Sequence, residues 1–511
     1  MNFIEFIKNW VFSVRKLKRV GNPDDPRLQF ITDDEQIRIY EVNECKTWLI
    51  STDKELDNFY LQRQVIGNAN NPIYNRNGRQ YFWAKSQAEC NFKKIATGVS
   101  KAIVDTISNI VGEPILTSDY SGFDELVDSV DFKYRLVNEC RTYTCAVGDG
   151  CWKWCFNKDI SNHPLLQFVE SLDYKPIYKS GMLVAIAFYS YYKDKNDKDY
   201  MLVETRTLTD DGCAVDFKLF NRDKNEISET ALDKISETAN LKPQFIPIRS
   251  LFAVPTRYYY NSLYKDRGLS IYANKIPLFD MLDEIWTQAS QTDRVSTPVE
   301  YYSTDILKRD KNGSPVLPSA YNRQYIAKNS TPDADGLNAS GQGIMTTQPD
   351  LNFDKYGILA KATMDFIFIG LVSPASMGFD VSKKDNAEAE REKEKQTIFT
   401  RNNIIAREIK QCKEVLEQGI LLDTYFNTGK FVKYDVNVKY NEFANPSTES
   451  QLRILGPAWV NGELSTERYV ELLWGDSLND DEKRKEIEYL NSVKAMEYTG
   501  GEYGSTDTEV I

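Results

Sequence analysis

The chain has 511 residues, of which 27% are charged and 41% hydrophobic, and its formal net charge is −12. This balance is typical of a soluble globular protein with room for two to four domains. The excess of acidic residues argues against tight wrapping of nucleic acid, because phosphate contacts require lysine and arginine. If the chain handles DNA, it guides the duplex and does not grip it.

Residues 1–20 begin with an apolar stretch and continue with a basic cluster at Arg15, Lys16, Lys18 and Arg19. A secretory signal has the opposite order. The pattern predicts an amphipathic helix, which packs on its own domain, docks on a partner or lies on a membrane surface. No apolar run approaches the ~20 residues of a membrane-spanning helix.

The sequence offers little catalytic or metal-binding chemistry. It has no phosphate-binding glycine loop, dinucleotide-binding motif or nucleophile elbow, so we expect no cofactor and no enzyme activity. Cys145, Cys151 and Cys155 lack the second Cys or His pair of a zinc site, and the single histidine, His163, follows eight residues later. We interpret these cysteines as reduced thiols buried in strands. Converging carboxylates of a metal-dependent nuclease remain an alternative.

Up to residue 265 the pattern changes from helical to sheet-like. Apolar residues at helical spacing predict a helix over 88–110, stopped by Gly112 and Pro114. Helix then continues from 118 and gives way to strands near Gly148 and Gly150. Between 150 and 260, apolar runs separated by polar turns predict an antiparallel sheet, with strands over 182–192, 200–208 and 213–220.

The second half of the chain is mainly helical. Residues 269–291 predict a helix that starts or kinks at Pro277, and 353–371 predict another. Between them, 293–350 have no periodicity, which indicates flexibility or folding through contacts with other copies. A break at 373–386 precedes the longest helix, about 387–425, which would extend for almost ~60 Å. A strand-like stretch at 431–440, three short helices and an acidic end follow.

Three stretches of this half resemble portal proteins of tailed bacteriophages with long non-contractile tails. The first is Gly268 to Ser270, which opens a helix. The second is Gly370-Leu371-Val372-Ser373-Pro374, followed by Gly378 and by Asn386-Ala387-Glu388. The third is Gly462-Glu463-Leu464-Ser465-Thr466-Glu467, a slight departure from the family pattern. No single motif is diagnostic; their order and spacing carry the resemblance, which covers about half of the chain.

The resemblance implies an α+β portal fold with wing, stem, clip and crown regions, mainly helical with an antiparallel sheet in the wing. After the N-terminal segment 1–20, the wing would span 21–265, and stem helices would span 266–292 and 351–372. The clip would be 293–350. The tunnel loop would be 373–386, and the long wing helix with its strand 387–440. The crown would be 441–498, with a disordered tail at 499–511.

The resemblance also implies a function and a set of partners. The chain would form a dodecameric ring at one capsid vertex of the virion, assembled in the host cytoplasm. Double-stranded DNA would pass through the ring during packaging and ejection. Its other partners would be the terminase large subunit, the head-completion adaptor, the major capsid protein and the scaffolding protein. The DNA-facing residues of the tunnel loop would be Ser376, Val381, Ser382, Lys383, Lys384, Asp385 and Asn386.

The sequence is also compatible with three other roles. The first is another structural component of the phage head–tail connector, which would share the acidic charge and multimerisation. The second is a metal-dependent phage nuclease. The third is a membrane-surface protein anchored by residues 1–20.

Overall fold

The computed structural model describes most of the chain in thirteen stretches, namely residues 33–65, 81–85, 92–155, 160–223, 226–295, 299–303, 310–313, 324–328, 344–347, 353–378, 387–441, 455–474 and 480–499. Contacts divide the chain into two compact units, Met1–Tyr440 and Asn441–Ile511. Helices and mostly antiparallel sheets occur together, which confirms the α+β class. The predicted amphipathic segment 1–20 lies outside the described residues, as does nearly all of the predicted tail.

Helices dominate the first part of the larger unit. Their bounds are α1 Asp33–Ile50, α2 Asp53–Val65, α3 Val99–Val111, α4 Phe123–Ser129, α5 Phe132–Arg135 and α6 Thr142–Val147. A π-helical turn, Leu136–Arg141, joins α5 to α6. Short strand β1, Pro114–Ser118, pairs with β14, Val436–Tyr440, from the far end of the unit.

The antiparallel sheet region follows, as the alternation of apolar runs and turns predicts. Its strands are β2 Asp149–Cys155, β3 Leu165–Glu170, β4 Tyr174–Lys179, β5 Met182–Lys193, β6 Asp199–Leu208, β7 Cys213–Asp223, β8 Glu226–Thr230, β9 Gln244–Ile246 and β10 Ala253–Arg257. Strands β4 to β8 lie side by side in chain order, with β9 also paired to β7. A second sheet has the order β10-β2-β3.

Two helices and a small sheet follow the strand region. Helix α7 spans Ile276–Val295 and α8 spans Phe353–Phe368. Between them lie β11 Val299–Ser303, β12 Gln324–Lys328 and β13 Ile344–Thr347, with β11 central, parallel to β12 and antiparallel to β13. Helix α7 starts just before Pro277, which settles the choice between a start and a kink. The described part of 293–350 therefore contains three strands that its sequence did not clearly show.

The long helix α9, Ala387–Thr428, is 42 residues long and confirms the helix predicted over 387–425. Cys412, Leu416 and Ile420 of its predicted stripe are buried against β2 and β14, whereas Ile409 is partly exposed. Gly419 lies against the Trp154 indole, whose Nε1 donates to the Val415 carbonyl at 2.8 Å. The helix thus packs along the sheet through one small residue and several branched ones.

The smaller unit is helical, as predicted. It contains α10 over 455–460, α11 Thr466–Trp474 and α12 Asp480–Thr499. Ser465 caps α11, because its side-chain oxygen accepts the Arg468 backbone N–H at 3.2 Å. Trp459 stacks on Tyr469 with ring centroids 5.2 Å apart.

The helix predicted over 88–110 is wrong at its start. Helix α3 begins only at Val99, after Gly98 at φ 71°, and residues 92–98 are not helical. Side chains of α7 supply the reason: Thr287 accepts the Ile95 N–H at 3.0 Å and Asp283 accepts the Thr97 N–H at 2.8 Å. These tertiary bonds replace the intrahelical ones that local spacing predicted.

The cysteine prediction is partly confirmed. Cys151 and Cys155 lie in β2, but Cys145 lies in helix α6. Cys145 and Cys151 are buried, Cys155 is half-buried, and none of the three forms a disulfide. Cys90 lies outside the described residues.

Candidate functional site

Helices α7 and α8 form an antiparallel pair, here called the helical hairpin. At one end, the Lys275 ammonium donates to the carbonyls of Phe366 at 2.7 Å and Ile369 at 2.9 Å. At the other end, the Thr292 hydroxyl lies 3.3 Å from the Tyr356 hydroxyl. A cation on the last carbonyls of α8 also suits the negative end of that helix. Both ends of the hairpin are therefore fixed by polar contacts.

Helix α8 has two apolar faces, and only one is covered. Ala360, Thr363 and Ile367 are buried, at intervals of three and four residues. The opposite face carries a second row at the same kind of interval, here called the outer stripe. It consists of Ile358, Ala362 and Phe366 on the helix and Ile369 directly after its end. Ile358 is 71% exposed, and Phe366 and Ile369 are each 60% exposed. A helix that is apolar on both sides is suited to burial between two partners.

The hairpin begins where two backbones touch. A Cβ on Gly268 would lie 2.0 Å from the Gly148 carbonyl oxygen, and one on Gly148 would lie 2.6 Å from the Gly268 carbonyl oxygen. The Ser270 hydroxyl donates to the Ala146 carbonyl and accepts the Tyr272 N–H at 2.9 Å. The Gly268-to-Ser270 motif therefore docks the entry of α7 onto the end of α6, where only hydrogen fits on either Cα.

The second motif ends α8 and attaches the following segment to the long helix. Gly370, at φ 81°, terminates the helix in a left-handed conformation that favours glycine. Beyond it, the Ser373 N–H donates to the Thr397 hydroxyl at 2.8 Å. The Ser376 hydroxyl lies 2.8 Å from the Thr397 hydroxyl and 2.9 Å from that of Ser373. Three hydroxyls thus join the base of the break to α9.

Of the predicted DNA-facing residues, the structure describes only Ser376. It lies in a single 3-10 turn, Ala375–Met377, and is half-buried. The other six lie outside the described residues, namely Val381, Ser382, Lys383, Lys384, Asp385 and Asn386. The contact of these residues with DNA stays a prediction. The described residues on either side of them are Gly378, which follows the three hydroxyls, and Ala387, which begins α9.

The inner side of α7 carries buried carboxylates that sequence reasoning missed. Asp280 accepts the backbone N–H groups of Phe82 at 2.8 Å and Trp83 at 3.1 Å. Burial raises the pKa of Asp280 to about 7 and that of Asp283 to about 6. The signal in the sequence was weak, because acidic residues three apart on a helix usually face solvent.

The single histidine pairs with the far end of the long helix. His163 Nδ1 lies 3.0 Å from Asp423 Oδ1, and the Tyr120 hydroxyl donates to Asp423 Oδ2 at 2.5 Å. Burial, followed by the hydrogen bond to Asp423, raises the pKa of Tyr120 to about 12. The three residues join the β2–β3 connection, the segment after β1 and α9.

The residues that the structure describes contain no group of three or more His, Cys, Asp or Glu side chains arranged to hold a metal ion. None of the helices in that part of the chain is long and apolar enough to cross a membrane.

Comparison with solved structures finds distant likenesses, two of which are to gene transfer agent particles. No protein-family model and no curated protein matches the chain. One solved structure is the neck of a native gene transfer agent particle, computed with C12 symmetry. It is 11% identical, with a TM-score of 0.35, over 74% of this chain and 89% of that one. Another is the virion of a native gene transfer agent particle, 9% identical, with a TM-score of 0.36, over 77% and 95%. Both TM-scores are below 0.5, so neither likeness establishes a shared fold.

Proposed function

We propose that this chain is a portal subunit of a tailed bacteriophage. Copies of it would form a dodecameric ring at one capsid vertex of the virion, through which DNA is packaged and ejected. The observation that carries the proposal is the outer stripe of α8. Its exposed apolar row calls for a protein partner, because large apolar side chains at helical spacing are rarely left in water.

In a ring, the neighbouring copies of the chain supply that partner. In a cyclic ring each interface is heterologous, so a subunit presents two different surfaces to its two neighbours. The helical hairpin offers both: the outer stripe on α8, and Trp286 on α7, which is 43% exposed. Hairpins standing side by side would bury these surfaces and line a channel. In this arrangement, α7 and α8 are the stem, and the small sheet of β11 to β13 belongs to the clip.

The motif order supports the DNA-conducting part of the proposal. The segment that follows α8 would be the tunnel loop, with Lys383 and Lys384 nearest the duplex. Two lysines per copy on an overall acidic chain would touch phosphates without holding them tightly. The hydroxyl cluster of Ser373, Ser376 and Thr397 would fix the base of this loop on the long helix.

The proposal includes partners that a ring at a capsid vertex requires. These are the terminase large subunit, the head-completion adaptor, the major capsid protein and the scaffolding protein. The chain would have no enzyme activity of its own. The main competing role is another structural component of the head–tail connector, which would not need a hairpin with two exposed apolar surfaces.

The decisive experiment is the mass and shape of the purified full chain, measured by native mass spectrometry and negative-stain imaging over a concentration series. A closed ring with a central hole supports the portal role. A chain that stays monomeric even when scaffolding and capsid proteins are coexpressed contradicts it. Metal-stimulated DNA cleavage by the pure protein would favour the nuclease, and flotation with liposomes that is lost when the chain starts at Gly21 would favour the membrane-surface role.

A further inference from the structure

One face of α7 binds the main chain of two neighbouring stretches, Tyr81–Lys85 and 92–97, here called the clasped segments. Asp280 receives two consecutive backbone N–H groups, those of Phe82 at 2.8 Å and Trp83 at 3.1 Å. Both donors lie at the start of a 3-10 turn, Phe82–Ala84. The Asp280 carboxylate therefore binds the first clasped segment through main-chain atoms alone.

Asp283 binds both clasped segments, one turn further along α7. Its Oδ1 accepts the Thr97 N–H at 2.8 Å and the Thr97 hydroxyl at 2.6 Å. Its Oδ2 accepts the Trp83 indole N–H at 2.9 Å. Asp280, Asp283 and Thr287 thus form one row of acceptors, here called the clasp.

The clasp is buried, and the described lysines beside it pair with other groups. Asp280 is 6% exposed and Asp283 is 1% exposed. Lys94 is buried nearby, but its ammonium donates to Asp57 at 2.8 Å and to the carbonyls of Trp83 at 3.0 Å and Lys85 at 2.6 Å. In the part of the chain that the structure describes, neither clasp aspartate forms a salt bridge.

The described charged groups beside the clasp come from four elements, namely α7, the two clasped segments and α2. They are Glu284 on α7, Lys85 and Lys94 on the clasped segments, and Asp57 on α2. Lys85 pairs with Glu284 at 2.8 Å, as Lys94 does with Asp57. Each lysine is thus engaged by a carboxylate outside the clasp. Asp283 and Glu284 add negative charge beside Asp280, which disfavours its ionised form further.

We propose that the clasp is a proton-linked contact, in which protonation of Asp280 and Asp283 strengthens the docking of the clasped segments on α7. The N–H and O–H donors favour the ionised carboxylates, whereas burial penalises their charge, and burial is the larger of the two effects. Opening the contact would expose them to water and release the protons. The contact would therefore loosen as the pH rises and tighten as it falls.

Thermodynamic linkage gives the direction in which pH changes the stability of the contact. Burial raises the pKa of both groups in the docked state, to about 7 for Asp280 and about 6 for Asp283. When the contact opens, both groups return to the ordinary aspartate value near ~3.9. The extra stability is complete below that value and is lost as the pH rises through about 6 and 7. For each proton released on opening, the opening constant rises by up to about tenfold per pH unit until the pH exceeds the docked-state pKa, and it then levels off.

The test is hydrogen exchange of the Phe82, Trp83 and Thr97 amides in the full chain, from pH 5 to pH 8, with correction for intrinsic exchange rates. We expect their protection to fall by at least about tenfold over this range and then to level off. Asp280→Asn and Asp283→Asn should each flatten the profile in part, because the amide cannot ionise. Each variant also loses one accepted hydrogen bond, since an amide nitrogen only donates, so protection should be lower at every pH and the slope with pH is the readout. The matched control is Asp365→Asn, at an exposed aspartate on α8, and it should keep the wild-type profile.

Two outcomes would overturn the inference. One is wild-type protection that does not change with pH after correction for intrinsic exchange rates. The other is a pH profile that keeps its full slope in both single variants. Single variants are used because each is less disruptive to folding than the double variant. The exchange of these amides reports local opening and not ring assembly, so the inference is tested separately from the proposed function.

Discussion

Arg141 and Glu408 form a buried bidentate ion pair that connects the π-helical turn to the middle of the long helix. Arg141 Nε donates to Glu408 Oε1 and Nη2 donates to Oε2, both at 2.9 Å. The hydroxyls of Tyr258, at 2.5 Å, and Tyr440, at 2.6 Å, occupy the remaining positions on the carboxylate. Glu408 thus joins four separate parts of the chain, and its charge is fully compensated.

Removing one partner of this ion pair should strongly lower the stability of the fold. We expect Arg141→Met to lower the free energy of unfolding by about 3–5 kcal/mol, because Glu408 is left as an uncompensated buried charge. Denaturant unfolding measures the change. Lys101→Met is the control, since it breaks the exposed Lys101–Asp105 pair and should cost less than about 1 kcal/mol. Arg141→Met combined with Glu408→Leu should recover part of the loss; a double variant as unstable as the two single changes summed would contradict this reasoning.

Replacing each of two helical glycines with alanine should change the stability of the fold in opposite directions. A Cβ on Gly419 would lie 2.3 Å from the buried Trp154 ring, so Gly419→Ala should destabilise by about 1–3 kcal/mol. A Cβ on Gly357 of α8 would meet nothing within 4 Å, so Gly357→Ala should stabilise by about 0.5–1 kcal/mol. Thermal unfolding of both variants decides the matter. A stabilising Gly419→Ala would mean that the long helix does not pack on Trp154 as described.

The outer stripe should govern assembly without affecting the fold of the subunit. Phe366→Glu places a charge on the stripe, and we expect ring formation to fall by more than about tenfold, because an unpaired charge in a closed interface costs more than ~1.4 kcal/mol. Lys361→Glu, at an exposed position of α8 outside the stripe, is the matched control. Native mass spectrometry compares the two, and circular dichroism checks that each subunit is folded. Equal assembly of both variants would remove the stripe from the interface.

The two lysines of the proposed tunnel loop should matter for DNA movement and retention. Lys383→Ala combined with Lys384→Ala removes the cations expected nearest the duplex, so retention should weaken and its salt dependence should become shallower. Lys193→Ala combined with Lys195→Ala, at exposed positions near the end of β5, is the control. The readouts are packaging yield and DNA retained in particles over a salt series. Unchanged packaging and retention in the first variant would contradict the assignment.

The buried thiols should resist alkylation in the native protein. Burial raises the pKa of Cys45 and of Cys140 to about 12, so almost none of either thiol is ionised at pH 8. We expect iodoacetamide to modify both only after unfolding, whereas half-buried Cys155 should react sooner. Peptide mapping by mass spectrometry, with and without urea, measures the labelling of each site. Rapid native labelling of Cys45 would show that the packing around it opens readily.

The sequence predicts the elements whose side chains follow one clear period. Strands β5 to β7, helix α8 and the long helix lie within a few residues of their predicted bounds. Helices α1 and α2 were not predicted. The buried face of α1 includes the polar residues Arg38, Glu44 and Thr47. The Arg38 guanidinium donates to the Ser171 hydroxyl at 3.0 Å, and Glu44 accepts from Tyr40 and Tyr60. Polar residues satisfied by distant partners hide the apolar periodicity of a helix.

The candidate site was predictable only in part. The outer stripe is visible in the sequence as a second row on α8, but its exposure depends on how α7 packs, which local spacing does not contain. The clasp is even harder to predict from the sequence, because it joins residues nearly 200 positions apart along the chain. The Gly268-to-Ser270 motif was recognised from its resemblance, and its physical basis, the contact with Gly148, is evident only in three dimensions.

The π-helical turn at Leu136–Arg141 has a consequence for how this chain tolerates changes in length. A π turn holds one more residue than an α turn, so deleting a residue there would produce a more regular helix. It would also rotate Arg141 by about 100° relative to the preceding turn, away from Glu408. The shortened segment would be a better isolated helix and a worse partner for the long helix. Length variation among related chains should therefore avoid these six residues, in which Leu136, Cys140 and Arg141 are buried.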